Sequence, residues 1–411
     1  MFYNYFPKAS QTIKNLQKTA LFTMIFFICI STCSFAADPG ISKNEILIGQ
    51  SCALSGPAAG LGKSYLAGAD AYFKSINDSG GIKGRKIKLI SADDGYEPEK
   101  CKQNTTKMIE TDKVFMLFGY VGTPTAKAVL PVVEQSKIPF FAPMTGAEAL
   151  RKPFSKYVFN IRASYLKETK ELVDRLINEK KLRKIAVFYQ DDDFGKSGFD
   201  GVKAAMEQYG EKIIATGTYT RNTIAVEKAV KDISSKAPDA IIMIGTYEPC
   251  AEFIKEMRVL KSKALFLNIS FVGSEILADK LREKGEGIGT IISQIVPFPN
   301  YMKMPIVKDF NDIFEKYNKG KDVDSIGFEG FIAAKTLCKI LSEMPESMTR
   351  EDFIKTAESQ QIDLGGFNIS FDHTNHQGSN LVFLTQIGPG GYLTRLENLY
   401  LMYEYSMENP Y

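Results

Sequence analysis

Histidine is scarce in this chain: His373 and His376 are the only two among 411 residues, and both lie in one short polar segment. Histidine is the commonest general base and the usual partner of a nucleophilic serine or cysteine. With both histidines in one place, no Cys/His pair stands out, and no serine lies in a Gly-x-Ser-x-Gly elbow. These absences favour a binding function over an enzymatic one, and no catalytic residue is predicted.

The two histidines offer at most two ligands to a metal ion, and the Asp, Asn and Gly around them are typical of a hairpin turn. A turn is the preferred interpretation, and a metal site is the alternative. No metal and no cofactor are expected.

Apolar runs long enough to cross a bilayer are also missing, because a span needs ~20 residues. The first candidate covers only residues 20–30; it follows Lys8, Lys14 and Lys18 and precedes Ser34-Phe35-Ala36. A basic start, a short apolar run and a small-x-small end describe a secretory signal peptide. Residues 1–36 are therefore predicted to be cleaved near Ala36/Ala37, which places the protein in the periplasm. An uncleaved anchor is the alternative.

Net charge is missing too once the signal peptide is removed. That segment carries three lysines and no acids, so 48 basic and 48 acidic residues remain. Nucleic-acid binding depends on a basic face that neutralises phosphates. The balance therefore argues against a nucleic-acid partner.

What the chain does contain is a regular alternation from residue 45 onward. The strand-like runs are 46–51, 86–93, 114–119, 184–190, 213–219 and 240–245, and the helical segments are 64–77, 98–110, 125–135, 166–178, 198–209, 226–234 and 251–260. Short buried strands between amphipathic helices predict parallel β-α-β units. The fold class is therefore α/β and doubly wound, with two domains of ~150 residues each.

One stretch imitates a phosphate-binding loop. Gly62-Lys63-Ser64 follows a predicted strand and opens a predicted helix. A P-loop needs a glycine five residues before Gly62, and the residue there is Pro57, which lacks an N–H donor. Export to a compartment with little nucleotide also disfavours this interpretation.

Three consecutive carboxylates, Asp191, Asp192 and Asp193, end another predicted strand. They offer oxygen ligands to a hard cation, but the spacing lacks the alternation of a calcium loop. A solvated loop that caps the following helix is the preferred interpretation.

A set of short motifs carries a family resemblance. In order along the chain they are Leu54-Ser55-Gly56-Pro57, the turn 79–89, Asp93-Asp94 with Glu97-Pro98, Pro139 with Pro143, Asp193-Phe194-Gly195, and 245–249. From about residue 45 to about residue 396 the chain resembles the periplasmic solute-binding proteins of the branched-chain amino-acid (Leu/Ile/Val) ABC transporter family.

The resemblance implies a type I periplasmic-binding fold, in which two Rossmann-like lobes joined by three crossovers close on a solute. Lobe 1 is expected to comprise 37–160 plus about 294–343, and lobe 2 to comprise 161–293 plus about 344–400, with 401–411 as a C-terminal tail. The implied partners of this monomer are a small organic solute (an amino acid or a small carboxylate or amide) and the membrane permease of an ABC importer. A sensing module for a membrane receptor and an exported enzyme are the alternatives.

The resemblance also implies a set of ligand-binding positions. Thr123 matches a family serine that binds the ligand carboxylate, and Thr145 and Gly146 match a segment that contacts the ligand backbone. The second-lobe aromatic residues fall on Phe194 and Tyr247. A helix cap for Thr123 and core packing for the aromatic residues are the alternatives.

The departures from the family pattern concern the ligand's ammonium group. Ser270 and Phe271 stand where amino-acid binders place a glutamate, and Leu61 stands where they have a tyrosine. A buried ammonium without a carboxylate partner is costly. A carboxylate or amide solute is therefore as consistent with the sequence as leucine, unless Glu248 replaces the missing glutamate.

Four cysteines remain in the processed chain. Cys52 ends the first predicted strand and Cys101 begins the helix after the second, so both are expected at one edge of lobe 1. In an oxidising compartment this predicts a Cys52–Cys101 disulfide.

Overall fold

The structure, a computed structural model, describes residues 1–3 and 38–402. The predicted signal peptide and its cleavage point fall almost entirely outside the described residues, as does the chain after residue 402. Within the described part, no helix is long and apolar enough to cross a membrane.

The described residues form α-helices and β-strands in alternation. The helices are α1 (Ala59–Asp78), α2 (Pro98–Glu110), α3 (Thr123–Ser136), α4 (Tyr165–Asn178), α5 (Asp193–Glu207), α6 (Glu227–Ser234), α7 (Tyr247–Val259), α8 (Ser274–Lys280), α9 (Pro305–Tyr317), α10 (Ser325–Glu343) and α11 (Arg350–Ser359). The strands are β1 (Glu45–Cys52), β2 (Lys86–Asp93), β3 (Met116–Phe118), β4 (Phe140–Phe141), β5 (Val158–Phe159), β6 (Ile185–Gln190), β7 (Ala215–Tyr219), β8 (Ala240–Ile244), β9 (Leu265–Asn268), β10 (Ile291–Gln294), β11 (Gln361–Asp363), β12 (Asn368–Ser370), β13 (Phe383–Ile387) and β14 (Leu393–Leu396).

The first sheet has five parallel strands in the order β2-β1-β3-β4-β5. Its register is fixed along β1 and β2, from Glu45 opposite Lys86 to Cys52 opposite Asp93. Most residues of β1 are buried, as expected for a parallel strand covered on both faces.

The second sheet has seven strands in the order β14-β13-β10-β9-β8-β6-β7. The strands β10, β9, β8, β6 and β7 are parallel, whereas β13 and β14 add an antiparallel edge. This confirms the predicted α/β fold class with two mainly parallel sheets. Each sheet with its helices is called a lobe below.

The helices of lobe 1 pack unusually closely where α1 meets α10. A Cβ atom on Gly68 would lie 1.7 Å from the carbonyl oxygen of Gly327, and one on Gly330 would lie 2.1 Å from that of Tyr65. Only glycine permits this separation. The contact attaches a helix from late in the chain to the first lobe.

The assignment of the chain to lobes differs from the expected one after residue 344. Arg350 at the start of α11 donates to the carbonyl oxygens of Phe115 and Val114 at 2.8 and 2.9 Å. Phe353 packs against Phe141 of β4 and Phe159 of β5. Because the apolar face of α11 is buried there, α11 belongs with the first sheet rather than with lobe 2.

Three chain segments pass between the lobes, at 160–164, 295–304 and 371–382. The first and third are paired, because the Asn160 amide donates to the His376 carbonyl at 2.9 Å and the Gly378 amide donates to the Asn160 carbonyl at 2.7 Å. These crossovers bring the carboxyl ends of both sheets to face each other.

Candidate functional site

The site lies in the cleft, defined here as the region where loops after the strands of lobe 1 meet loops after the strands of lobe 2. Ligands of open α/β sheets bind at this end of the strands. Tyr96, after β2, lies with its ring centroid 6.2 Å from that of Phe271, after β9. Both side chains are fully buried, so the lobes are in contact along this face.

Two threonines form the lobe 1 side of the cleft. Thr123 begins α3 directly after Gly122, whose φ of 100° positions the helix start. The Thr123 and Thr145 hydroxyl oxygens are 2.7 Å apart, and both side chains are buried. The amino end of a helix together with hydroxyl donors suits an anion.

A row of aromatic rings crosses from these threonines into lobe 2. A Cβ on Gly146 would lie 2.5 Å from the Tyr165 ring, so the glycine allows that ring to approach. The centroids of Tyr165 and Phe194 are 5.5 Å apart, and those of Phe194 and Phe271 are 4.6 Å apart. Side chains predicted from distant parts of the sequence therefore share one buried wall.

Leu61 and Tyr247 both lie near Gly273 at the other side of the cleft. The Gly60 amide donates to the Tyr247 hydroxyl at 3.1 Å, which links α1 to α7. A Cβ on Gly273, whose φ is +78°, would lie 2.8 Å from the Leu61 side chain. A side chain on Gly273 would crowd Leu61 and would be strained by the positive φ.

Ser270 does not stand alone where the family glutamate was expected. Its amide and hydroxyl donate to the Glu168 carboxylate at 2.8 and 3.0 Å, and the Ser293 hydroxyl donates to the same carboxylate at 2.6 Å. A carboxylate therefore does occupy this region, although both of its oxygens already accept hydrogen bonds. Glu248 instead pairs with Lys280 at 2.7 Å and is about one-third exposed.

The sequence analysis missed a buried ionic cluster beside Ser270. Arg162 donates to the Ser270 hydroxyl; its Nε lies 3.4 Å from a Glu329 oxygen, and its Nη2 lies 4.0 Å from a Glu168 oxygen. Burial raises the pKa of Glu329 to about 7, against the opposing effect of Arg162.

A sequence signal for part of this cluster existed. Glu329 is an acidic residue within a helix whose positions 325–338 are all buried, and a charge within such an apolar helix needs a partner. No spacing rule connects it with Arg162, because that contact joins a crossover to a helix far along the chain.

The predicted disulfide is not formed in this structure, where Cys52 and Cys101 are buried free thiols. The Cys101 side chain interacts with Ser51 and Asp94, and burial raises its pKa. The Ser51 hydroxyl also donates to Asp94 at 2.7 Å. Cys101 therefore belongs to a polar cluster at the end of β1 rather than to a bond with Cys52.

The other suspected clusters have structural roles. Asp192 caps α5 by accepting from the Phe194 amide at 2.9 Å, and Asp193 pairs with Lys127 at 2.8 Å. His376 stacks on Phe159 at a centroid distance of 3.8 Å, and its Nε2 lies 3.1 Å from Glu358. The described residues hold no group of three or more side chains able to bind a metal ion.

Comparison with known proteins identifies the family of this chain. A family model described as periplasmic binding protein matches residues 45–392. The structure of a possible leucine/isoleucine/valine-binding protein from Rhodopirellula baltica SH 1 is 33% identical, with 87% of this chain and 98% of that chain covered and a TM-score of 0.83. A substrate-binding periplasmic protein from Ralstonia solanacearum is 30% identical, with 86% and 100% covered and a TM-score of 0.81.

A curated relative extends the comparison. An amino acid binding protein from Pseudomonas aeruginosa is 23% identical over 234 residues, which cover 57% of this chain and 63% of that protein. The alignment thus spans less than two thirds of the relative's length. The match over most of the chain and the two-lobed structure lead to one conclusion: this chain belongs to the periplasmic binding protein family, whose members are binding proteins rather than enzymes.

Proposed function

We propose that this protein is the extracytoplasmic solute-binding component of an ABC importer. It captures a small organic solute, an amino acid or a small carboxylate or amide, between its two lobes and delivers it to a membrane permease. The observation that carries the proposal is the buried wall of polar and aromatic side chains that both lobes contribute at the carboxyl ends of their sheets. Core packing alone does not require hydroxyl and guanidinium groups at this position.

Within this proposal, Thr123, Thr145 and Gly146 contact the solute from lobe 1 or the adjoining crossover. Phe194, Tyr247, Ser270 and Phe271 contact it from lobe 2, while Leu61 closes one side. All are buried, so a solute enters only when the lobes separate. Hinge motion about a few crossover residues is a recognised means of such closure.

The names of two relatives support an amino-acid solute. The Rhodopirellula protein is described as a possible leucine/isoleucine/valine-binding protein, and the Pseudomonas protein as an amino acid binding protein. Transport and sensing use the same capture step, so the identity of the membrane partner separates them. Neighbouring permease and ATPase genes support import, whereas a neighbouring histidine kinase gene supports sensing.

The test is a ligand screen on the processed chain, unfolded and refolded to remove carried-over solute. Amino acids, small carboxylates and amides are added singly, and the thermal midpoint is measured. A ligand at 100 times its Kd adds about 2.7 kcal/mol to the free energy of unfolding, which raises the midpoint by roughly 2 °C or more. Small-angle scattering on each hit is expected to show a more compact molecule.

The result that contradicts the proposal is the absence of any midpoint shift or compaction across the panel. The matched control is Leu260→Ala, because Leu260 is exposed and lies after α7, at the opposite end of the second sheet from the cleft. This variant is expected to respond to each ligand as the wild type does.

A further inference from the structure

Arg162 is a buried cation whose position is fixed from both sides. It lies in the first crossover, and the residue is 1% exposed. Its carbonyl oxygen accepts from Arg151 at 3.0 Å and from Gln377 at 2.6 Å. These bonds tie the backbone of Arg162 to the neighbouring loop and to the third crossover, so its guanidinium is held in place.

The guanidinium is only partly satisfied by its neighbours. Its Nη2 donates to the Ser270 hydroxyl. Among the described residues its Nη1 and Nε have no hydrogen-bond partner, although Nε lies 3.4 Å from Glu329. A buried donor without an acceptor costs free energy, and a charged one costs more.

The adjacent carboxylates are poor substitutes for the missing acceptor. Glu168 already accepts three hydrogen bonds, from the Ser270 amide, the Ser270 hydroxyl and the Ser293 hydroxyl. Its nearest approach to Arg162 is 4.0 Å. Glu329 contacts only the Nε side without hydrogen-bond geometry.

A second unpartnered group lies next to Arg162. The guanidinium carbon is 5.9 Å from the centroid of the Tyr165 ring, and the buried Tyr165 hydroxyl has no well-formed hydrogen bond within the described residues. Burial raises the pKa of the Tyr165 hydroxyl, and the neighbouring Thr145 and Gly146 oppose this rise. The Thr123–Thr145 pair and the start of α3 complete the group.

We propose, on the basis of the proposed function, that the solute carries a carboxylate and that Arg162 binds this carboxylate through its unpartnered Nη1 group. The Tyr165 hydroxyl and the Thr123–Thr145 pair supply the remaining donors. A hydrogen bond from the cationic guanidinium to an anionic carboxylate oxygen is stronger than one to a neutral oxygen, so a neutral amide is bound more weakly. Recognition therefore rests on the anionic end of the solute, and an α-ammonium group is not required.

The experiment compares solutes that share one carbon skeleton. 4-Methylpentanoate, its amide 4-methylpentanamide and leucine form one set, and benzoate and benzamide form a second. Each is titrated calorimetrically into refolded wild-type protein. We expect a carboxylate-bearing member of at least one set to bind, and the corresponding amide to bind at least tenfold more weakly.

Variants at Arg162 test its contact with the solute. Arg162→Lys keeps the charge, but one ammonium nitrogen cannot occupy the positions of both Nη2, which donates to Ser270, and Nη1. A tenfold or greater loss of carboxylate affinity is therefore expected. The double variant Arg162→Gln/Glu329→Gln removes both charges of the closest ion pair and so retains a foldable core if Arg162→Lys does not fold. In this double variant the preference for carboxylate over amide is expected to disappear.

The control is Arg350→Lys, which alters a partly buried arginine that donates to backbone carbonyls outside the cleft. It is expected to lower the thermal midpoint while the ratio of carboxylate to amide affinity stays unchanged. Equal binding of acid and amide by the wild type, or an unchanged preference in the double variant, overturns the inference and leaves the proposed function standing. Failure of every solute to bind overturns both.

Discussion

At the scale of single residues, Glu329 makes the stability of the protein depend on pH. Burial raises the pKa of Glu329 from 4.5 to about 7, so between these values the folded state binds a proton that the unfolded state releases. Stability is therefore greatest below about pH 4.5 with respect to this group. It falls as the pH rises, and the loss is complete above about pH 7.

The variant Glu329→Gln is expected to lack this pH-dependent fall in the free energy of unfolding. One pKa unit corresponds to about 1.4 kcal/mol, which makes the contribution roughly 3 kcal/mol across the window. The measurement is the free energy of unfolding by urea between pH 4.5 and 8 for the wild type and the variant. Their difference isolates Glu329 from Asp94, whose pKa burial raises to about 6.

The matched control is Glu343→Gln, which changes an exposed carboxylate at the end of the same helix. It is expected to leave the pH profile of the wild type unchanged. A Glu329→Gln profile parallel to that of the wild type contradicts the prediction.

Individual side chains of the site were predictable only where a family pattern marked them. Phe194 and Phe271 come into contact, as do Thr123 and Thr145, although the positions in each pair lie far apart in the sequence. Their roles toward a solute stay predictions. Arg162 was missed because its interactions come from five separate segments, and no local periodicity reports such contacts.

At the scale of elements, the contact between α1 and α10 depends on glycine. Gly68→Ala is expected to lower stability by at least about 2 kcal/mol, because the new methyl group would overlap a helix backbone that cannot yield as a side chain does. The clash is with the Gly327 carbonyl oxygen at 1.7 Å. Chemical denaturation measures the loss.

Gly327→Ala is the matched comparison at the same contact. Its nearest new neighbour is the Ser64 carbonyl oxygen at 3.3 Å, and alanine favours a helix over glycine by up to about 1 kcal/mol. We expect a change within about 1 kcal/mol in either direction. Equal losses in the two variants contradict this account of the contact.

The elements themselves were largely readable from the sequence, since strands buried on both faces and amphipathic helices leave strong patterns. The ends of these helices and strands were harder to predict from the sequence. Gly62, Lys63 and Ser64 lie inside α1 with Lys63 exposed, which removes any loop that could surround a phosphate. The lobe of α11 was not readable, because the pattern shows which face of a helix is apolar and not which sheet covers it.

At the scale of the whole molecule, ion pairs at the edge of the cleft join the lobes. Arg221, after β7, pairs with Glu97, after β2, at 2.9 Å, and Asn222 donates to the same carboxylate at 2.7 Å. Partly exposed pairs contribute about 0.2–1 kcal/mol each and weaken with salt. Arg221→Ala is therefore expected to reduce solute affinity about two- to fivefold at low salt.

The measurement is the Kd of a bound solute at low and high ionic strength for the wild type and Arg221→Ala. The difference in Kd between the wild type and Arg221→Ala is expected to shrink as salt is added. Lys74→Ala, which removes a pair with Asp70 within α1, serves as the control because it does not bridge the lobes. A difference in Kd between the wild type and Arg221→Ala that does not change with salt argues against an electrostatic role.

The Tyr247–Gly60 hydrogen bond and the buried rings around it also affect how long a captured solute stays bound. Because the side chains proposed to contact the solute are buried in this structure, a captured solute leaves only after the lobes separate. Its residence time is then set by the opening rate of the protein and not by diffusion of the solute. A membrane partner that favours the open form would shorten that time, so release would occur where the partner is rather than in free solution.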